Sequence, residues 1–196
     1  MTCPATTTAS HRPARRARGG IWAWLVAGLL LAAAAVNARA ALELQELAVE
    51  RQDGVSVSFN VRLRLPPAVE EALQRGIPLY FAAEATLVRP RWYWRDERIA
   101  RAMRSWRLSY QPLTASWRVS QGGLHQSYDS QGEALAAISR ATRWKLAELG
   151  QVVPDERYYV DFSYRLDTSQ LPRPMQIGVG GQADWALGVE HTVWLP

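Results

Sequence analysis

From residue 55 the chain alternates between apolar and polar positions. Val55, Val57, Phe59, Val61, Leu63 and Leu65 share one parity, and Ser56, Ser58, Asn60, Arg62 and Arg64 share the other. Successive side chains of a strand point to opposite faces, so this run predicts a half-buried antiparallel strand over 55–65. A preceding extended run, 42–51, meets it across Gln52-Asp53-Gly54, a turn sequence that predicts a hairpin. Pro66-Pro67 ends the strand. Val69 and Leu73, four residues apart, then predict a short helix over 68–75 that stops at Gly76.

A third strand is expected over 79–88, followed by Arg89-Pro-Arg-Trp-Tyr-Trp-Arg-Asp-Glu-Arg98. As an extended chain this stretch puts Trp92 and Trp94 on one side, expected in the core, and Arg91, Tyr93 and Arg95 on the other, facing outward. Ala102, Arg104, Trp106, Leu108 and Tyr110 alternate with Met103, Ser105, Arg107 and Ser109. Gln111-Pro112 then turns the chain into 113–120, completing a meander. Residues 99–103 fit a helical turn equally well. Gln121-Gly122-Gly123 marks a loop.

Ser130-x-x-Glu133 is a capping-box pattern, and Leu135, Ile138, Thr142, Leu146 and Leu149 recur at helical spacing. They predict one longer helix that runs to Gly150 and lies on the sheet. Strands are expected over 157–166, 175–179 and 185–195. Between the first two, the prolines of 167–174 favour an extended crossover. The fold class is therefore mainly β: an antiparallel, sandwich-like domain with one short and one longer helix packed on it.

Charge changes the picture at the N-terminus. The 196-residue chain carries a formal net charge of +5. Arg12, Arg15, Arg16, Arg18 and Arg39 all fall within residues 1–40, which contain no acid. Beyond residue 40, acidic and basic residues balance. The basic stretch, the apolar run 21–36 and Ala38-Arg39-Ala40 succeed one another as in an export signal, with cleavage expected after Ala40. The alternative is a retained membrane anchor, for which 21–36 is short. Two domains of the sequence follow: a signal peptide over 1–40 and a single β-rich domain over 41–196. The expected location is the periplasm, or the inner membrane if the anchor is kept. A balanced mature domain gives no reason to expect a nucleic-acid partner.

Candidate chemistry is sparse. The one cysteine, Cys3, lies inside the signal, so the mature domain has no thiol for a disulfide, a metal or a nucleophile. There is no G-x-S-x-G, and His125 and His191 lack any metal-binding spacing. Asp96-Glu97, Asp155-Glu156, Asp161, Asp167 and Asp184 read as turn, cap and strand-surface residues, although two carboxylates suffice for a glycosidase. Gly178, Gly180 and Gly181 lack the flanking strand and helix of a dinucleotide site and read as a bend or bulge. No cofactor, metal site or catalytic residue is expected.

The pieces Arg89-Pro-Arg-Trp-Tyr-Trp94, Arg107-Leu-Ser-Tyr110 with Leu113-Thr114, Gly122-Gly-Leu-His-Gln126 and Leu166-Asp-Thr-Ser-Gln-Leu-Pro172 resemble a proteobacterial secreted family. It is catalogued as domain of unknown function 4390, and the resemblance spans residues 42–196. It implies an exported protein of unassigned activity, similar to ones often encoded beside a membrane-bound histidine kinase and its response regulator. The expected function is thus a non-catalytic periplasmic binding or accessory module. Its partner would be an envelope protein, a membrane histidine kinase among the candidates, met through Arg91, Tyr93 and Arg95. A sugar- or peptidoglycan-binding domain and a carboxylate-dependent enzyme are the alternatives. Side-chain burial discriminates among them: buried tryptophans favour the first, an exposed aromatic row the second, and paired acids with raised pKa the third.

Overall fold

A computed structural model describes residues 41–173 and 182–196. The expected signal over 1–40, the strand over 175–179 and the Gly178–Gly181 bend lie outside the described residues, save that 182 onward resumes the chain. Two antiparallel sheets face each other. The smaller has the order β1-β2-β7, from β1 (Leu42–Gln52), β2 (Gly54–Leu63) and β7 (Arg140–Ala147). The larger has the order β6-β5-β4-β3-β8-β9, from β3 (Leu79–Arg89), β4 (Glu97–Gln111), β5 (Ser116–Gln121), β6 (Leu124–Tyr128), β8 (Tyr159–Leu166) and β9 (Gly188–Trp194). Two helices of eight residues, α1 (Pro67–Gln74) and α2 (Gln131–Ile138), accompany the sheets among the described residues. It is mainly β, antiparallel and sandwich-like.

β2 forms as its alternation requires: Val55, Val57, Phe59, Val61 and Leu63 are all buried against the larger sheet. β1 keeps its apolar residues inward only by a register shift between Leu44 and Glu46, which moves the inward parity from Leu42 and Leu44 to Leu47 and Val49. An extra residue in one strand does this. At the hairpin Gly54 takes φ +101°, and a Cβ there would stand 2.1 Å from the Ala147 carbonyl oxygen. Only glycine fits both the conformation and the approach.

The longer helix is a correction. Ser130 Oγ accepts from the Glu133 N–H at 3.2 Å, as the capping pattern predicts, but α2 ends at Ile138. Residues 140–147 instead become β7 on the open edge of β2, pairing Trp144 with Val57 and Ala141 with Phe59. Ser139 closes the helix by donating to the Leu135 carbonyl at 2.6 Å, and its own carbonyl accepts from the Val61 N–H at 2.8 Å. The ladder of hydrogen bonds that β2 needs, together with the aromatic and β-branched content of 141–144, outweighs a helical stripe. Leu149, the last residue of that stripe, is exposed in a 3₁₀ turn.

Two smaller differences concern the meander. Pro112 to Ala115 form the turn, with Ala115 at φ 47°, so β5 starts at Ser116. Gly122 and Gly123, both at positive φ, make a tight hairpin into β6, a strand not anticipated from the sequence. Residues 99–103 belong to β4. Between the sheets, Phe59 touches the rings of Phe162 (5.0 Å), Tyr164 (5.9 Å), Trp144 (6.3 Å) and Trp106 (6.4 Å). The buried Tyr164 hydroxyl donates to the Ile138 carbonyl at 3.1 Å. Among the described residues no buried side-chain polar atom lacks a partner.

Candidate functional site

β3 and β4 form the longest hairpin, and its tip is the most unusual surface of the molecule. Pro90 carries no N–H to continue the ladder, so the strands end on the pair Arg89 and Glu97 and residues 90–96 form a seven-residue loop. Trp92 is 94% exposed, Tyr93 66% and Trp94 74%. The expectation that Trp92 and Trp94 face the core is therefore wrong. It treated the stretch as one strand, whereas parity stops carrying information once the ladder ends. Pro90, and opposite charges at 89 and 97, were the signals of a reversal. Tyr93 does face solvent, as expected.

Below the loop lies a charged brace. Arg89 donates to Glu97 through Nε at 2.9 Å and through Nη2, and its Nη1 reaches Glu156 at 2.6 Å. Arg91 Nη2 also bonds Glu97. Asp96 accepts from the Arg91 N–H at 3.2 Å and from the Tyr159 hydroxyl of β8 at 2.7 Å. The Arg89 guanidinium is thereby held further above its ordinary value by Glu156 and Glu97, while Arg89 and Arg91 hold Glu97 below its own. The bonds from Tyr159 and the Arg91 N–H lower Asp96; reciprocally Asp96, with some burial, pushes Tyr159 up to about 12. Trp92 and Tyr93 meet edge to face at 5.1 Å above this base. A hollow of about 450 Å³ beside them is lined by Arg91, Glu156 and Arg157 among others.

Of the expected binding residues, Arg91 is thus part of the brace, Tyr93 belongs to the aromatic tip, and Arg95 is exposed on the same loop. Trp194 at the end of β9, missed by the sequence reading, extends the aromatic surface. It is 53% exposed, with the Arg157 guanidinium 4.9 Å from one ring and Tyr159 5.5 Å away.

Tyr159 also joins the tip to a second feature. The small sheet covers one face of the large sheet; on the other, cross-strand rows run over β3, β8 and β9: Glu84–Ser163–Glu190, Thr86–Asp161–Thr192 and Val88–Tyr159–Trp194. All of these but Trp194 line a trough of about 780 Å³, with Asp96, Arg98 and Arg165 at its margins. Glu84 is ion-paired to Arg101 at 2.7 Å, and Asp161 accepts from the Thr192 hydroxyl at 2.7 Å. Among the described residues, Arg98, Arg165 and Glu190 make no ion pair.

The remaining candidates stay apart. His125, whose Nδ1 lies 2.7 Å from Ser120 Oγ, is on β6, and His191 is on β9, the opposite edge of the same sheet. Asp155 sits in a turn at φ 66°. Asp167 caps the 3₁₀ turn Thr168–Gln170; burial pushes its carboxyl up, but bonds from Ser169 and Gln170 bring it below the ordinary range. Asp184 lies in the exposed part of another 3₁₀ turn. No group of three or more possible metal ligands occurs among the described residues.

Fold and surface together define a β-sandwich that presents an aromatic hairpin tip beside an open polar sheet face. Residues 39–195 match the family described as Domain of unknown function (DUF4390), and the chain belongs to that family. No curated protein and no solved structure matches it.

Proposed function

We propose that the protein is an exported, non-catalytic recognition module of the cell envelope with the β3–β4 tip as its recognition element, and that its exposed aromatic row favours a sugar-binding module over an accessory one whose tryptophans are core. One observation carries this reading: three consecutive large aromatics, Trp92, Tyr93 and Trp94, stand in solvent on a loop whose base is braced by ion pairs and hydrogen bonds. Aromatic area left outside the core does nothing for folding, and a contiguous exposed patch of it marks an interaction surface. The brace lowers the ordering cost of binding, because the loop's ends are already held.

A catalytic role has less support. Hydrogen bonds from Arg101, Tyr159 and Arg89 hold the Glu84, Asp96 and Glu97 carboxyls, respectively, below their ordinary ranges. A general acid needs the opposite shift. The export signal expected over 1–40 supports seeking the partner in the envelope, and a membrane histidine kinase belongs among the partners to be tried. Crosslinked capture from an envelope fraction tests the reading: the wild-type chain should retain a component that the Trp92→Ala, Trp94→Ala double variant loses at unchanged melting temperature. Equal capture by both would refute it.

A further inference from the structure

Resting on that reading, we infer that the ligand is a neutral glycan chain that crosses from the aromatic tip onto the outer face of the large sheet. The two surfaces are continuous. Asp96 belongs to the tip loop and to the trough margin, and Tyr159, bonded to it, stands in a trough row next to Trp194. A ligand following this path first meets aromatic faces and then a polar floor.

The chemistry of that path selects its occupant. A sugar ring offers an apolar C–H face on one side and hydroxyls around its rim. Aromatic side chains serve the first, and mixed carboxylates, guanidiniums and hydroxyls serve the second. The trough supplies all three polar types, with Glu190 accepting and Ser163 able to do either in one cross-strand row, and Arg98 and Arg165 donating from its margins. Its volume of about 780 Å³ lies within the range of roughly 300–1,000 Å³ for small-ligand sites. Four carboxylates line it against two arginines, and with Glu84 paired to Arg101 the floor is close to balanced, so it offers a phosphate polymer or an anionic lipid head no net attraction. An apolar ligand would strand the polar rows without partners. A neutral polyhydroxylated chain satisfies both ends.

The test uses the protein as the cell produces it, with chitotetraose and cellotetraose as soluble probes in calorimetry. At least one of the two should bind. Trp92→Ala should weaken that binding by about tenfold, and Glu190→Gln, at an exposed edge-strand position without an ion pair, by severalfold, both at unchanged melting temperature. No binding to any probe, or binding indifferent to both substitutions, overturns the glycan assignment. Trp92-dependent capture of an envelope protein, or of phosphatidylglycerol vesicles, without glycan binding also overturns it while leaving the tip as recognition element. If envelope capture is independent of Trp92 as well, both readings fall.

Discussion

Trp106 and Trp92 belong to the same hairpin, yet they do opposite things. Trp106 lies on the inward parity of β4, packed near Phe59 and Tyr164, whereas Trp92 projects from the loop with nearly its whole surface in water. What separates them is whether the ladder continues. Along paired strands each side chain's face is fixed by its neighbours, and the apolar ones are driven inward; past Pro90 nothing fixes the face. The tryptophan content of such a chain therefore divides into a part that holds the sandwich together and a part released from that duty.

The largest effect expected from this division is on the core side. Trp106→Ala should cost about 3–5 kcal/mol in urea-unfolding free energy, since it leaves a cavity among aromatic rings. Gly54→Ala should follow at about 1–3 kcal/mol, because a Cβ must displace the Ala147 carbonyl at a positive φ. At the tip, by contrast, Trp92→Ala and Trp94→Ala should each stay within about 0.5 kcal/mol of wild type in the same measurement. A tip variant as damaging as Trp106→Ala would erase the comparison.

A smaller, local effect sharpens it. Arg89→Ala removes the bonds to Glu97 and Glu156, so amide hydrogen exchange should accelerate across 91–96 while the β2 and β8 amides keep their protection. Uniform acceleration would mean that the brace is part of the global fold.

The smallest effects are in pH. Asp96 and Glu97 are depressed in the folded state, so their contribution is complete above their ordinary values of 3.8 and 4.5. It is lost as acid carries the pH below those values, through the lower folded ones. Tyr159 runs the other way: its contribution is complete below its ordinary value of 10.0 and is lost as pH rises through about 12. Ultraviolet titration of Tyr159→Phe should lose amplitude from the late-ionising phase, which Tyr159 shares with the buried Tyr164, and a loss from the ordinary phase near 10 instead would contradict the Asp96 bond.

How far the sequence could be read follows from the same contrast. The β1–β2 hairpin, the 102–120 part of the meander and the cap at Ser130 were readable because their signals are local: strict alternation, Asp-Gly, and Ser-x-x-Glu. β7 was not, since Leu135, Ile138, Thr142 and Leu146 satisfy a helical period, and the partner that decides otherwise, β2, is remote in sequence. For the site, Arg91, Tyr93 and Arg95, singled out from the sequence, lie on the loop proposed as the recognition element. Trp92 and Trp94 were expected in the core and Trp194 was not singled out, because exposure of a large aromatic is a property of where the ladder stops. The trough was invisible for a related reason: its rows combine β3, β8 and β9, and no spacing within one segment announces that alignment.

The pairing of β2 with β7 also sets an order of events as the chain is made. β1 and β2 can close on each other as soon as both exist, and so can β3 and β4, because each pair is adjacent in sequence. The second edge of β2 must wait until nearly all of the large sheet's central strands have been synthesised. During that interval a finished hairpin carries a bare apolar face and an unpaired edge, a template for association with other chains. Loop closure over such separations is slow, so the domain should fold on the millisecond-to-second scale of non-local β proteins. The open edge of β2 would be covered when residues 140–147 arrive, and that of β3 only when Tyr159–Leu166 follow.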